Sequence, residues 1–245
     1  MKILTLNLNY YVNKHGDWDR RKKLIAELLR EVAPDMVAFQ AACSDPEIND
    51  GVNQADQLGE LLPEYRYRHF FTASRQPNGR QEGNALLSRI APVETEQYLL
   101  ALTPGTDDPA QRLVAKSVFA RGAGSFTLFI GHFSWVAAQT EKNVREALGY
   151  LTRSGNFLLV GDLNTGSKDN LLQPFRQAGL TDVWEKLRGD EDGFTFESDE
   201  PFTRIDYAWA DTGLADAVQA VEVVKKEKDG VRMSDHLGLL VSLDI

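Results

Sequence analysis

The sequence predicts an α/β fold whose first half consists of a strand, a helix and a second strand. Apolar residues alternate with polar or small ones over residues 3–8, which is the period of a strand. Over 19–31 the apolar positions fall on one helical face, and Asp17 or Asp19 can cap the start of this helix. A proline then ends the helix, and the apolar run 36–39 predicts a short buried strand.

The second half of the chain repeats this order of elements. The run 126–131 predicts a strand, and apolar positions at helical spacing predict a helix near 140–153 with Thr140 as its N-cap. The run 157–160 predicts the next strand, and a further helix is predicted over roughly 169–178. Two strand–helix–strand halves are typical of layered α/β proteins.

Shorter patterns predict the remaining elements. Strands are predicted at 84–88, 112–120, 204–209, 219–224 and 237–243, a helix at 54–62, and turn-rich loops at 43–53 and 74–83. No linker, low-complexity tract or change of composition divides the chain. Residues 1–245 are therefore predicted to form a single domain.

Composition and charge exclude several classes of protein. The chain has 27 Lys and Arg against 36 Asp and Glu, and the net charge of −9 disfavours tight, metal-free binding to a long nucleic-acid duplex. One cysteine, Cys43, allows neither an intrachain disulfide nor a thiolate zinc cluster. No run approaches the ~20 apolar residues of a membrane span, and the first residues lack a signal peptide. We expect a cytoplasmic protein without stable membrane insertion, unless a signal peptide has been trimmed.

Polar groups stand at the ends of five predicted strands and just before a sixth. They are Asn7, Gln40, His132, Asp162 with Asn164, Asp206, and Asp235 with His236. Sites in layered α/β proteins form at strand ends, so these groups can converge on one pocket. Carboxylate and amide oxygens suit hard cations such as Mg²⁺ or Mn²⁺, and histidines beside aspartates can transfer protons or stabilise a transition state. The set favours metal-assisted phosphoryl transfer.

Each group also has an ordinary structural explanation. Asn7 could be a satisfied strand-end amide, and Asp206 could be a buried partner of Arg204. Residues 161–164 could form a turn with an Asx hydrogen bond, and 234–236 could be a capping sequence. The functional hypothesis therefore depends on the order of the groups along the chain.

Seven motifs define that order. They are L-N-L-N at 6–9, F-Q at 39–40, G-N-A-L-L-S-R at 83–89, G-H-F at 131–133, G-D-L-N at 161–164, R-I-D-Y at 204–207 and S-D-H at 234–236. Over nearly the whole chain this order resembles the endonuclease/exonuclease/phosphatase superfamily of DNase I-like, metal-dependent phosphoesterases. The resemblance implies a four-layer α/β/β/α sandwich with two central mixed β-sheets. It also implies hydrolysis of a phosphoester by a phosphodiesterase, phosphatase or nuclease activity.

The resemblance implies a role for each motif residue and Mg²⁺ or Mn²⁺ as the cofactor. Asn7 and Asp235 bind the metal; Asp162 orients or activates the attacking water or contacts a metal; Asn164 contacts the phosphate; Asp206 holds His236; His236 pairs with the scissile phosphate or acts as base; His132 faces the phosphoryl oxygens or the leaving group; and Asn84 lines the phosphate pocket.

Position 41 departs from the family pattern. The second strand of the family ends in Gln-Glu, and that Glu is a principal metal ligand, but this chain has Gln40-Ala41. Alanine cannot bind a cation, and three explanations are open. Residue 41 was substituted deliberately, or the subfamily recruits another acid such as Glu82 or Glu47, or metal chemistry has been lost. The last explanation leads to the alternative function, a catalytically silent module that binds a phosphate ligand.

The sequence constrains the type of bond better than the substrate. A short chain with an acidic total favours a small phosphoester, although a lipid headgroup or nucleic acid is also possible. Trp135, Phe194 and Phe196 have two interpretations. They border the pocket and stack on a base or line a lipid headgroup site, or they are ordinary packing aromatics.

Overall fold

The computed structural model of the chain describes residues 1–122 and 124–245. The strands are β1 (Lys2–Asn7), β2 (Met36–Ser44), β3 (Tyr67–Arg75), β4 (Gln81–Ser88), β5 (Pro92–Leu99), β6 (Leu113–Arg121), β7 (Gly124–His132), β8 (Phe157–Asp162), β9 (Thr181–Asp182), β10 (Asp206–Ala210), β11 (Val218–Val224), β12 (Glu227–Lys228), β13 (Val231–Arg232) and β14 (Gly238–Leu243). The helices are α1 (Trp18–Val32), α2 (Gln54–Leu61), α3 (Ala137–Leu151), α4 (Gln173–Gln177) and α5 (Val183–Arg188).

Two six-stranded mixed sheets form the centre of the molecule. Sheet 1 has the order β11-β14-β1-β2-β4-β3, and sheet 2 has the order β5-β6-β7-β8-β10-β9. Each sheet contains one parallel pair, β1 with β2 and β7 with β8, whose strands are joined through α1 or α3. A helix supplies the long crossover that a parallel pair requires. The two predicted strand–helix–strand units are therefore confirmed as the centres of the two sheets.

Three apolar cores hold four layers together. One core lies between the sheets, where Met36 and Ala38 of β2 meet residues such as Leu158 of β8. A second core packs the other face of β2, including Phe39, against α1 and α2, and a third packs sheet 2 against α3 and α4. Strand β2 is buried on both faces, which explains its continuous apolar run. The predicted four-layer α/β/β/α sandwich with two central mixed sheets is confirmed.

Three sequence predictions about local structure were wrong. Strand β2 does not end at residue 39 but continues to Ser44, because a bulge between Phe39 and Ala42 absorbs one residue and pairing resumes beyond it. Helix α3 begins at Ala137, so Thr140 lies inside it, and its hydroxyl donates to the carbonyls of Ser134 and Val136. The helix predicted at 169–178 is a 3₁₀ turn followed by the single short helix α4.

Other elements agree with the predictions. Asp17 caps α1, and its side chain accepts a hydrogen bond from the backbone N–H of Arg20. The strands predicted at 84–88 and 112–120 lie within or close to β4 and β6. Within the described ranges, no helix combines the length and the apolar character needed to cross a membrane.

Candidate active site

The candidate site lies where the carboxyl ends of the two parallel pairs face each other. Asn7 pairs with Gln40 at this edge of sheet 1, and His132 pairs with Asp162 at the corresponding edge of sheet 2. Asn7 Nδ2 donates to Asp162 Oδ2 at 2.9 Å, so a buried hydrogen bond joins the two edges. The topology thus brings distant motifs together at strand ends, where sites in α/β proteins form.

The G-D-L-N motif forms a tight loop at the end of β8. Gly161 has a φ of 139°, and a Cβ there would meet the carbonyl oxygen of Gly131 at 2.0 Å, so only glycine fits. Asp162 Oδ1 accepts from the backbone N–H of Asn164 at 2.9 Å, which is the predicted Asx bond. Asn164 Nδ2 also donates to the carbonyl of Phe133 at 2.9 Å. The loop is a structural turn that also fixes the Asp162 carboxylate at the cleft.

Asp206 pairs with His236 rather than with Arg204. His236 Nδ1 donates to Asp206 Oδ2 at 2.9 Å, whereas Arg204 makes a bidentate pair with Asp182. Asp206 Oδ1 is buried and has no hydrogen-bond partner among the described residues. His236 Nε2 lies 3.7 Å from Asp162 Oδ2. Ligand atoms of Asp162, Asp206 and His236 all lie within 4.8 Å of one another, in a fully buried cluster.

Charge within this cluster is set by burial and by the two carboxylates. Burial alone lowers the pKa of His236, but Asp206 and Asp162 outweigh it and raise the pKa to about 10. Burial raises the pKa of Asp162 to about 6, although the charge of His236 opposes this shift. At neutral pH His236 is therefore an imidazolium between two carboxylates.

The pKa of His132 is shifted in the opposite direction from that of His236. Burial, followed by the charges of Arg112 and His236, lowers its pKa well below the ordinary value. Arg112 Nη1 lies 2.8 Å from His132 Nε2, and the same guanidinium donates to Asp108 Oδ2 at 2.9 and 3.1 Å. Because a guanidinium only donates, the ring nitrogen must accept, and His132 is neutral. Its Nε2 lies 3.6 Å from Asp162 Oδ2.

The bulge in β2 places Ala41, where the family resemblance implies a glutamate, directly at the cleft. Ala41 has a φ of 48°, in the left-handed region, and it lines the cleft together with Asn7 and Asp235. Asp235 is half-buried and accepts from the hydroxyl of Ser234 at 3.0 Å. Asn7 Oδ1 accepts from the backbone N–H of Asn9 at 2.8 Å.

Glu82 and Glu47, the two acids considered as replacements at position 41, lie in different places. Glu82, on β4, lines the cleft, and its Oε1 accepts from Arg80 Nε and Nη2 at 3.0 and 2.9 Å. Glu47 is exposed in the loop after β2 and is not part of the cleft lining. Of the two acids, Glu82 is therefore the one that lies in the cleft beside Ala41.

These groups surround an open cleft with a volume of about 520 Å³. Its lining is Asn7, Asn9, Tyr10, Ala41, Glu82, Ala110, Arg112, His132, Trp135, Asp162, Asn164, Phe196, Asp235 and His236. Phe196 packs against the ring of His236 at a centroid distance of 4.9 Å. Phe194 instead lines a separate cavity beside Phe202.

Asn84 and Gln40 lie beside the cleft rather than in its lining. Asn84 is buried between the sheets and donates to the carbonyl of Ile130 at 3.0 Å, and it borders a cavity of only about 10 Å³. The Gln40 amide accepts from Thr5 and donates to the carbonyl of Ala38. Both amides therefore join strands in the structure.

A model of the Endonuclease/Exonuclease/phosphatase family matches residues 4–236. The chain belongs to this family. The match runs from β1 to His236 and so includes every motif described above. No curated protein sequence matches the chain.

Solved structures of the endonuclease/exonuclease/phosphatase family share the fold. A family protein from Leptotrichia buccalis aligns with a TM-score of 0.79 and 21% identity over 100% of each chain. The mannosyl-6-phosphatase Bt3783 of Bacteroides thetaiotaomicron aligns with a TM-score of 0.71 and 21% identity over 99% of each chain. The 3′ phosphatase NExo from Neisseria, bound to a product DNA hairpin, aligns with a TM-score of 0.70 and 18% identity over 100% of each chain. At these identities the similarity establishes the fold.

The endonuclease/exonuclease/phosphatase family generally uses divalent metal ions, and the oxygen donors at this cleft fit such an ion. The amide of Asn7 and the carboxylates of Asp235 and Glu82 are hard ligands. The Asp206 and His236 side chains lie 2.9 Å apart, which is a hydrogen-bond distance.

No sequence pattern pointed to Arg112, although it lies in the cleft. Arg112 precedes β6 and lies beside Leu113, which pairs with His132 across the sheet. A cation at a strand end is usually a solvated flank, and only the pairing of β6 with β7 brings Arg112 into the site.

Arg21 was also missed, because a basic residue in the first turns of α1 is expected at the surface. It is 1% exposed and donates to the carbonyls of Leu8, Tyr10, Val12 and Met233. These carbonyls belong to the segment after Asn7 and to the segment before Asp235. Arg21 therefore joins the two segments that present the oxygen donors.

Proposed function

We propose that this chain is a metal-dependent hydrolase of phosphoester bonds. The observation that carries the proposal is the buried Asp162–His236–Asp206 cluster beside neutral His132 in an open cleft. In the reaction a water oxygen bonds to phosphorus while the ester P–O bond breaks. The products are a phosphate and an alcohol, and the proton lost by the water balances the proton gained by the alcohol.

The residues of the cluster have distinct roles in this proposal. Asp206 orients His236, whose free Nε2–H donates to a phosphoryl oxygen and whose charge stabilises the transition state. Asp162 is mainly ionised at neutral pH and orients or deprotonates the attacking water. Asn164 contacts the phosphate after giving up its longer bond, 3.3 Å, to Asp162 Oδ2.

His132 and Arg112 form the other donor group of the site. Arg112 remains paired with Asp108, and its Nη1 contacts the ring of His132, which lines the cleft beside it. We assign this pair to the phosphoryl oxygens or the leaving oxygen, where positioned donors stabilise developing charge.

Asn7, Asp235 and Glu82 would hold the divalent cation, Mg²⁺ or Mn²⁺. The bound cation would supply positive charge to the phosphoryl oxygens. Because Glu82 is already neutralised by Arg80, we expect weaker metal affinity than a site with glutamate at position 41 would have.

A small phosphoester is the favoured substrate class. Among the described residues that line the cleft, Arg112 is the only Lys or Arg, and Asp108 already neutralises it. A long polyanion usually requires several unpaired cations along its path. The similar structures carry the names of a sugar-phosphate phosphatase and of a 3′ phosphatase bound to DNA, so a sugar phosphate or a nucleic-acid end fits the same proposal.

Ala41 supports a second candidate function, a catalytically silent module that binds a phosphate ligand. In that case the cluster would retain a phosphate site while the cation site is incomplete. The two functions differ in turnover but not in binding.

The test compares this chain with Ala41→Glu. Hydrolysis of bis-p-nitrophenyl phosphate and p-nitrophenyl phosphate is measured with Mg²⁺ or Mn²⁺ and again with EDTA. EDTA-sensitive turnover by this chain supports the proposal with Glu82 as ligand, and turnover by Ala41→Glu alone identifies a disabled hydrolase. If neither form turns over any phosphoester while both bind inorganic phosphate, the silent module is correct.

A further inference from the structure

Trp135 at the rim of the cleft is the only exposed one of the four tryptophans, all of which lie within residues 1–122 and 124–245. Its side chain is 57% exposed, whereas Trp18, Trp184 and Trp209 are 5%, 7% and 0% exposed. It lines the cleft together with His132 and Asn164. A large exposed ring in a cleft offers its apolar face to whatever the cleft binds.

The turn that carries Trp135 is built from buried polar residues. The backbone N–H of Ser134 donates to Asn143 Oδ1 at 3.1 Å, and its carbonyl accepts from the hydroxyl of Thr140. Ser134 Oγ accepts from the backbone N–H of Val136 at 3.1 Å. Ser134, Thr140 and Asn143 are all 0% exposed. The backbone on both sides of Trp135 is thus held in place while its side chain remains in solvent.

The same turn is bonded to the loop that carries Asp162. The backbone N–H of Phe133 donates to the carbonyl of Asp162 at 3.0 Å, and the carbonyl of Phe133 accepts from Asn164 at 2.9 Å. The backbone at Trp135 therefore keeps a fixed position relative to the proposed phosphate site. A preorganised aromatic ring can bind a partner ring at little entropic cost.

We propose that Trp135 is a subsite that stacks on a planar ring carried by the phosphoester, either a nucleobase or an aryl group. The inference rests on the proposed phosphoester function and extends it to a substrate class. The scarcity of Lys and Arg in the cleft supports it, because the part of the ligand beyond the phosphate meets few charged side chains there, and stacking on Trp135 is a source of affinity that needs no charge. Trp135 is thus a specificity-determining residue.

The test measures binding of four phosphomonoesters to the intact chain in Mg²⁺. Adenosine 5′-monophosphate and phenyl phosphate carry a ring, whereas ribose 5-phosphate and glycerol phosphate lack a planar one. Binding is followed by tryptophan fluorescence, since Trp135 is the solvent-exposed fluorophore, and by calorimetry, with the ligands checked for integrity afterwards. We compare the unaltered chain with Trp135→Ala, Trp135→Phe and Tyr67→Ala, the last an exposed aromatic outside the cleft.

We expect the ring-bearing ligands to quench fluorescence and to bind more tightly than their ringless counterparts. Trp135→Ala should weaken binding of at least one ring-bearing ligand roughly 5- to 100-fold and leave the ringless ones unchanged. Trp135→Phe should retain most of the affinity but lose the quenching, and Tyr67→Ala should change nothing. The ligand that responds more strongly distinguishes a nucleobase from an aryl group.

Two results would overturn the inference, and they have different meanings. Equal binding of all four ligands, unaffected by Trp135→Ala, excludes the ring subsite but leaves the phosphate site intact. If none of the four ligands binds, the proposed phosphate site is wrong together with the subsite.

Discussion

The two sides of the cleft differ in how completely the protein prepares them. The hydrolytic side, defined as His132, Asp162, Asp206 and His236, is at most 8% exposed, and each residue has a polar partner. The proposed cation side, defined as Asn7, Ala41, Glu82 and Asp235, has an alanine where the family resemblance implies a glutamate, and an acid already paired with arginine. The proposed hydrolytic side is therefore preorganised, whereas a bound ion would complete the proposed cation side.

The largest expected effect comes from Asp206→Asn on the hydrolytic side. The amide cannot hold His236 as an imidazolium, so we expect kcat for an activated phosphodiester to fall roughly 10³- to 10⁴-fold. Mn²⁺ affinity should change little, because Asp206 is not on the cation side. Steady-state kinetics and a Mn²⁺ titration check both expectations, and a folded variant with unaltered kcat would remove Asp206 from the mechanism.

The charge of His236 should also appear in the stability of the metal-free protein. Its folded pKa of about 10 exceeds the ordinary 6.5, so the stabilisation is complete below pH 6.5 and disappears as the pH rises through about 10. We expect a loss on the order of 3 kcal/mol over this range in EDTA. The pKa of Asp162, about 6, lies below this interval of pH 6.5 to 10, so Asp162 contributes little to the loss.

Urea unfolding at pH 6.5 and pH 10 measures this loss, and Asp206→Asn is the control. Other groups that titrate near pH 10 contribute equally to both proteins. The difference between the two proteins in the unfolding free energy that is lost between pH 6.5 and pH 10 therefore isolates the charge that Asp206 holds on His236. An identical loss of unfolding free energy in the two proteins would mean that Asp206 does not hold the charge of His236.

The sequence was sufficient for the fold because apolar periodicity determines which faces must be buried. The strand–helix–strand units around α1 and α3 follow from this periodicity, and the family motifs implied the four layers. Local backbone features were harder to predict. The bulge at Ala41 and the start of α3 at Ala137 depend on cross-strand pairing and on the Ser134 turn. Both involve contacts that a local pattern does not contain.

The candidate site was predictable where side chains stand at strand ends. Asn7, Asp162 and His236 lie together as expected. Arg21 was missed because its partners are backbone carbonyls from other segments, and Arg112 was missed because its contact with His132, unlike its local pair with Asp108, depends on the pairing of β6 with β7. Sequence identifies polar residues in unusual positions, but long-range partners decide which ordinary-looking cations are buried.

Arg21→Lys tests whether the cation side depends on its backbone clamp. A lysine cannot donate to all four carbonyls, so we expect the unfolding free energy to fall by about 2 kcal/mol and the Mn²⁺ affinity to fall as well. Arg204→Lys is the matched control, since Arg204 is 2% exposed, pairs with Asp182 and precedes Asp206 by two residues. It should lose stability but keep its Mn²⁺ affinity. Equal losses of affinity would mean that general destabilisation, rather than the clamp, weakens the site.

The smallest expected effect tests whether Glu82 acts as a metal ligand in place of residue 41. Glu82→Gln keeps the size of the side chain but removes its charge, so we expect the Mn²⁺ dissociation constant to rise roughly 3- to 10-fold. Glu47→Gln makes the same chemical change in the exposed loop after β2 and should leave the constant unaltered. Electron paramagnetic resonance of free Mn²⁺ measures both without requiring turnover. If the two variants bind Mn²⁺ equally well, Glu82 is not a ligand. Neither Glu82 nor Glu47 then replaces the glutamate that the family resemblance implies at position 41, and the two sides of the cleft differ because the proposed cation side lacks that ligand.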